Sequence, residues 1–193
     1  MRLFGSLAVL ALVSFFFIPL TRAADVFTNA TVTRAADVAS INTLNPWYNA
    51  TEGTVFAQFQ AVNATDPTSQ QPIWSFDNGT SNEVVYATRT ATSNRFRYNS
   101  RSSGVIDADV SIPSPTIADG ALAKTVVAIA TNNDISALNG TLSTADTSVV
   151  VPTVNRMTLG SYRFTTFNLN GYLQKVIYYP KRLTNSELQA LTS

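Results

Sequence analysis

Two groups of residues in this chain are candidates to bind or react with a ligand. The first is aromatic. Trp47-Tyr48 is followed directly by Asn49, and Trp74, Tyr98 and Tyr162 stand elsewhere. An indole or phenol ring offers a flat apolar face, and neighbouring amides and guanidiniums offer hydrogen bonds. An apolar floor with a few convergent polar groups is the usual design of a small-molecule site. The second group is the run Asn94-Arg95-Phe96-Arg97-Tyr98-Asn99-Ser100. At strand spacing it puts Phe96 and Tyr98 on one face and Arg95, Arg97 and Asn99 on the other. The polar stripe reads either as a solvated strand face or as a surface for a ligand or partner. Asp107-Ala108-Asp109 places two carboxylates two residues apart. A solvated outer face accounts for that pair, and calcium or acid–base catalysis is the alternative reading.

What is missing excludes more than what is present supports. The chain has no cysteine and no histidine. Disulfides, a zinc ribbon and a thiol nucleophile are therefore out. So are a Ser-His-Asp triad and any histidine base or metal ligand. The formal net charge is +1 and charged residues make up 13%, so no strong field draws the chain to nucleic acid. Apolar residues make up 45% of 193 positions, enough for one domain with a proper core. No cofactor is implied.

These residues have to be held by strands. Thr54 to Val62 alternates, with Val55, Ala57, Phe59 and Ala61 expected inward. Pro72 to Phe76 reads as a short interior strand, which makes Trp74 a core residue, and Asp77-Asn78-Gly79-Thr80 is a turn signal. Glu83 to Thr88, Asn94 to Ser100 and Val105 to Ile112 follow. Leu122 to Ala130 is a continuous apolar run suited to a central strand. Asn139-Gly140, between Ile135–Leu138 and Thr141–Ser143, is the strongest hairpin signal in the chain. Tyr172 to Tyr179 carries apolar groups on both faces, so burial on both sides is expected. Thr184-Asn185-Ser186-Glu187 is a capping box that opens a short helix packed through Leu188 and Leu191. About ten short strands split by turn signals argue for an all-β sandwich of two sheets.

The N-terminus is different in kind. Residues 3–20 are uncharged and strongly apolar, Arg2 precedes them, and Thr21-Arg22-Ala23 offers a cleavage site. Residues 1–24 are expected to be an N-terminal hydrophobic helix serving as signal peptide or membrane anchor, and 25–193 the sandwich domain. The hexapeptide Thr21 to Val26 recurs as Thr33 to Val38, which reads as a small local duplication. Asn29, Asn49, Asn63, Asn78 and Asn139 each lie in an Asn-x-Thr sequon, a pattern that composition alone can produce in a Thr- and Asn-rich chain.

Three stretches together resemble the concanavalin A-like lectin/glucanase (laminin-G-like) superfamily, and more narrowly its copies in bacteriophage tail-fibre and virion proteins and in bacterial surface proteins. They are Val32 to Ala39 with Trp47-Tyr48-Asn49 and Glu52-Gly53-Thr54; Val126 to Asn133 with Leu138-Asn139-Gly140; and Leu159 to Thr192. The resemblance implies a two-sheet antiparallel jelly-roll sandwich with a short C-terminal helix. It implies a non-catalytic glycan-binding or adhesion module outside the cell or on a virion. A structural module making protein–protein contacts is the second reading. Under this resemblance Trp47, Tyr48, Arg95, Arg97 and Asn99 are the candidate carbohydrate-binding residues. Glycan or cell-surface polysaccharide is the expected partner, and membrane contact is expected only through residues 3–20. The family's hydrolase branch uses a Glu-x-Asp-x-x-Glu strand, and nothing in this chain matches it.

Overall fold

The structure is a computed structural model that describes residues 39–62, 70–90, 93–162 and 167–193. The expected signal or anchor segment, the hexapeptide duplication, Asn29 and Asn63 lie outside the described residues.

The elements are β1 (Ala39–Ile41), β2 (Glu52–Ala61), β3 (Gln71–Asp77), β4 (Val84–Arg89), β5 (Phe96–Ser102), β6 (Val105–Ile112), β7 (Leu122–Ala130), β8 (Ile135–Leu138), β9 (Thr141–Leu142), β10 (Arg156–Leu159), β11 (Gly171–Tyr179) and α1 (Asn185–Thr192). One sheet, here sheet A, has the order β1-β10-β3-β4-β5-β6, and the other, sheet B, has the order β11-β2-β7-β8-β9. Each neighbouring pair is antiparallel. The all-β, two-sheet sandwich with a short C-terminal helix is as the sequence implied.

The alternation in β2 does what period-2 spacing demands. Val55, Ala57, Phe59 and Ala61 point between the sheets and meet Trp74, Phe76, Val85, Ala87, Phe96 and Tyr98 of sheet A. Phe56 points the other way and joins Val126, Ala128, Ile135 and Ala137, covered by Leu183 and Leu188. Sheet B is therefore buried on both faces, by sheet A and by α1. This is why β7 is apolar at every position from Val126 to Ala130 rather than at alternate ones. Full burial of a side chain such as Leu188 contributes roughly 1.5–3 kcal/mol. The capping box forms: the Thr184 hydroxyl accepts from the Glu187 N–H at 3.3 Å, and a Glu187 carboxylate oxygen accepts from the Thr184 N–H at 2.7 Å. The Thr184 N–H bond, and a second from the Thr184 hydroxyl to the same oxygen at 2.8 Å, hold the Glu187 carboxyl below its ordinary value.

The β8–β9 hairpin turns at Asn139 and Gly140, with φ of 45° and 81°. The Gly140 N–H then donates to the Thr192 hydroxyl at 3.0 Å, which docks the turn onto the end of α1. A Cβ at Gly140 would also lie 3.4 Å from the Ser193 hydroxyl. Gly140→Val is expected to destabilise the fold by about 1–2 kcal/mol, because a β-branched residue is strained at positive φ. A thermal melt unchanged from the parent would mean that the hairpin tolerates the strain.

Three strand bulges correct the simple alternation. Ile73 is the extra residue in β3, so Ile73 and Trp74 both pack inward. Asp107 is the extra residue in β6. Gln174 is the extra residue in β11 and flips the faces there: Leu173, Val176 and Tyr178 pack into the main core, while Ile177 and Tyr179 face α1. The expectation that this strand is buried on both sides is also corrected. It is an edge strand paired with β2, and Tyr172 is 68% exposed. Its apolar residues serve the rims of two separate cores. The strand expected from Asn94 begins at Phe96, which leaves Arg95 in the β4–β5 turn with its N–H donating to the Thr90 hydroxyl at 3.1 Å.

One polar bond ties the sheets together. The wholly buried Tyr98 hydroxyl donates to the Asp134 carboxylate, whose other oxygen accepts from the Ala130 N–H at 2.8 Å. Burial pushes the Asp134 carboxyl up to about 6, against the lowering effect of those two bonds. Two of the sequons are local turns: the Thr51 and Thr80 hydroxyls donate to the Asn49 and Asn78 side-chain carbonyls at 2.9 and 2.7 Å. Among the described residues no helix is long and apolar enough to cross a membrane.

Candidate functional site

The structure puts the sequence-nominated residues in two separate places. Trp47 and Tyr48 sit where the ends of β3 and β11 meet, packed into the rim of the main core. Their rings stand edge to face at 6.3 Å. Trp47 meets Tyr178 at 5.2 Å, and Tyr48 stacks on Tyr178 at 5.5 Å and meets Phe76, tilted, at 5.5 Å. The Asn49 N–H donates to the Tyr178 hydroxyl at 3.0 Å. Burial, and secondarily Tyr178, pushes the Tyr48 hydroxyl well above the ordinary tyrosine value. An open hollow of about 500 Å³ runs along Pro46, Trp47, Asn49, Tyr178 and Pro180. Most of this aromatic surface is engaged in packing the end of the sandwich. Trp74 and Tyr98 are core residues with no exposure.

Arg97 and Asn99 lie on the outer face of sheet A. Register carries one row of side chains across all six strands: Ser40, Thr158, Ser75, Tyr86, Asn99 and Asp109. The row is polar except for the Tyr86 ring near its middle. Ser75 and Thr158 bond each other at 2.5 Å. Arg97, two residues before Asn99, holds Asp109 through two bonds, Nε–Oδ1 at 2.6 Å and Nη2–Oδ2 at 2.6 Å. The hydrogen bond to Asp109 raises the Arg97 guanidinium further above its already high value. Arg95 stands outside this row, exposed in its turn. Asp107 sits at the bulge, where its carboxylate accepts from the Ser102 N–H at 2.7 Å. Both aspartates of the pair singled out by spacing are thus engaged in bonds within the fold. Among the described residues no three acidic side chains gather as a cluster able to hold a metal ion.

Beside the row is a pocket. Gln70, Pro72, Tyr86, Tyr162 and Phe167 enclose about 180 Å³. The Tyr86 and Tyr162 rings lie 4.6 Å apart at 60°. Phe167 is 40% exposed at the lip. Burial first, and then the neighbouring Tyr162, raises the Tyr86 hydroxyl, so it remains a neutral donor at physiological pH. The pocket offers aromatic and prolyl surface for a flat apolar ligand face, with an amide from Gln70. Arg97 is a diagonal neighbour of Tyr86 in the β4–β5 pairing and holds Asp109 on β6.

No protein-family model matches the sequence, and no curated protein matches it. Solved structures match by shape. The CBM40 module of a Ruminococcus gnavus IT-sialidase, solved bound to α2,3-sialyllactose, aligns with a TM-score of 0.63 over 75% of this chain and 84% of its own, at 16% identity. A heptameric SAP-like pentraxin from Limulus polyphemus aligns with a TM-score of 0.57 over 82% of this chain and 84% of its own, at 14% identity. The NanB sialidase of Streptococcus pneumoniae has a TM-score of 0.65 over 80% of this chain and 27% of that larger chain, at 16% identity. The fold is a concanavalin A-like jelly roll.

At 14–16% identity the shared property is the backbone arrangement, and the side chains on this jelly roll are its own. Of the five nominated residues, Arg97 and Asn99 lie on the outer face of sheet A, on the strand next to that of Tyr86 and with Asn99 buried there, while Trp47, Tyr48 and Arg95 do not. Sequence reasoning passed over Gln70, Tyr86 and Phe167. Tyr86 carried a usable signal: it alternates with Val85 and Ala87, both buried in the jelly-roll core, so it had to face outward. Gln70 and Phe167 carried none, because each lies outside the strands, where no alternation fixes the direction of a side chain.

Proposed function

We propose that this chain is a non-catalytic glycan-binding module acting in adhesion, outside the cell or on a virion, with its sugar site on the outer face of sheet A. The observation that carries this reading is the pocket of Gln70, Pro72, Tyr86, Tyr162 and Phe167, with the Arg97–Asp109 pair on the neighbouring strands of the same face. Aromatic rings suit the apolar face of a pyranose, and a fixed set of amide, guanidinium and carboxylate groups suits its hydroxyls. The likeness to a CBM40 module solved with sialyllactose supports the same assignment. The apolar stretch at residues 3–20 behind Arg2 supports an export signal or anchor.

A glycan array probed with the purified chain tests the reading. Selective binding is expected. Tyr86→Ala and Tyr162→Ala should each weaken it at least tenfold, on the order of 1.4 kcal/mol, while Trp47→Ala leaves it within about twofold. The reverse pattern would move the site to the Trp47 hollow. A blank array with folded protein would end the glycan reading.

A second reading, an assembly module, draws on one feature. Val105 is 64% and Ile106 52% exposed at the start of β6, the edge strand of sheet A. Exposed apolar residues on an open strand edge favour pairing with another chain.

A further inference from the structure

We propose that the Tyr98–Asp134 bond between the sheets is a pH-sensitive clasp, one that makes the sandwich firmer in mildly acidic surroundings than at neutral pH. This stands independently of the glycan-binding reading above.

The chain has no histidine and no cysteine. Apart from the α-amino group, a group that changes charge between about pH 5 and 8 must therefore be a displaced carboxyl. Among the described residues Asp134 has the surroundings for it. It stands in the β7–β8 turn of sheet B, and its side chain has no solvent exposure. The ion pairs of the described residues are Arg89–Asp119, Arg97–Asp109 and Arg156–Asp77, and none includes Asp134. Its oxygens accept only from neutral groups, the Ala130 N–H at 2.8 Å and the Tyr98 hydroxyl. Two such bonds offset part of the cost of taking a carboxylate out of water, and no cation offsets the rest.

The groups that face Asp134 are few. β7 supplies the Ala130 N–H. β5 supplies Tyr98, whose hydroxyl burial holds well above its ordinary range, so it stays neutral. The segment after β9 supplies Asp146, whose backbone exchanges two N–H···O bonds with that of Asp134, at 3.0 and 2.8 Å. The Asp146 carboxylate opposes ionisation of Asp134. The β11–α1 connection supplies Arg182, which favours ionisation but directs its N–H groups to Asn133, Leu183 and Asn185. Burial above all sets the Asp134 carboxyl at about 6, against an ordinary 3.8.

Protonation keeps the clasp closed. A carboxylic acid still accepts from the Ala130 N–H, and the proton between its other oxygen and Tyr98 can sit on either. The native state thus takes up a proton near pH 6 that the unfolded chain takes up only near 4. Stability from this group is complete below the unfolded value and is lost as pH rises through the folded one. Glu187, held low by its cap, loses its contribution only below 4.5, outside this window. The charge on Asp134 also acts on the segment beside it, because the Asn132 N–H donates to the Val149 carbonyl at 2.8 Å and fastens that segment to the same turn.

Thermal melts of the full chain test the clasp. As pH falls from about 7.5 to about 5, the melting temperature should rise by on the order of 5 °C. Asp134→Asn keeps the shape and removes the charge. It should melt at or above the parent at the neutral end and show no rise on acidification. Tyr98→Phe removes a bond that favours the ionised form, so its rise should begin at a higher pH. A carbon NMR titration of the parent should place the Asp134 carboxyl near 6. A midpoint near the ordinary value, or a parent melting temperature that stays flat or falls over this range, would overturn the proposal. A rise that persists in Asp134→Asn would overturn it too, by giving the effect to another group. If neither variant folds, the titration of the parent decides.

Discussion

Arg89→Ala should lower the unfolding free energy by about 2–4 kcal/mol, from the cavity it opens and the buried carbonyl it leaves unpaired, since the Asp119 side chain is 55% exposed and takes up water. Arg89 follows Val85 and Ala87 on the inward face of β4 and has no solvent exposure. Its guanidinium donates to the Ile117 carbonyl from Nε at 3.1 Å and from Nη2 at 2.9 Å, and it pairs with Asp119 at 2.5 Å. Ile117 is itself in the main core, and its N–H donates to the Asn94 carbonyl at 2.6 Å. Arg89 is thus the strut that fastens the crossover from β6 in sheet A to β7 in sheet B. Alanine would leave a carbonyl unsatisfied, a cavity behind it and the crossover loose. Arg89→Met keeps most of the volume and buries no charge, so it should cost clearly less than alanine. Denaturant titrations of the two variants settle the matter. If alanine costs under about 1 kcal/mol, the crossover does not depend on this residue.

Trp74→Ala should cost a similar amount, about 3–5 kcal/mol, by cavity formation. The indole is fully buried and meets Phe76 at 5.8 Å and 71°, the edge-on geometry that ring quadrupoles favour. Trp47 makes the informative control. It is only half-buried, so Trp47→Ala should cost about half as much or less. Equal losses in the two variants, read from the same denaturation experiment, would mean that the Trp47 rim is as essential to the sandwich as its centre.

Both losses arise in parts of the molecule with very different legibility. Trp74 reads as core from its strand, whereas Arg89 gives no hint of burial. A charged residue at the end of a short apolar strand looks like a solvent-exposed cap. It is buried because the β6–β7 crossover folds back over it and supplies a carbonyl and a carboxylate. The candidate site behaves in the same way. Arg97 and Asn99 are readable as an outward stripe because period-2 alternation is a local property. Their company is not readable: Asp109 and Tyr86 come from register, and Gln70, Tyr162 and Phe167 come from outside the strands. Trp47 and Tyr48, the most conspicuous aromatics, are drawn into packing by Phe76 and Tyr178, residues distant in sequence.

Elements whose physics is short-range are legible along the chain. The alternation of β2, the unbroken apolar run of β7, the Asn139-Gly140 hairpin and the Thr184–Glu187 cap each follow from steric and hydrogen-bonding rules acting within a few residues. The sandwich is legible too, since so many half-apolar strands can hide their inner faces only against one another. The tertiary structure alone decided where strands slip by one residue, at Ile73, Asp107 and Gln174, and which charges find partners. Those outcomes depend on fitting whole sheets together, where a single bulge re-aims every side chain after it.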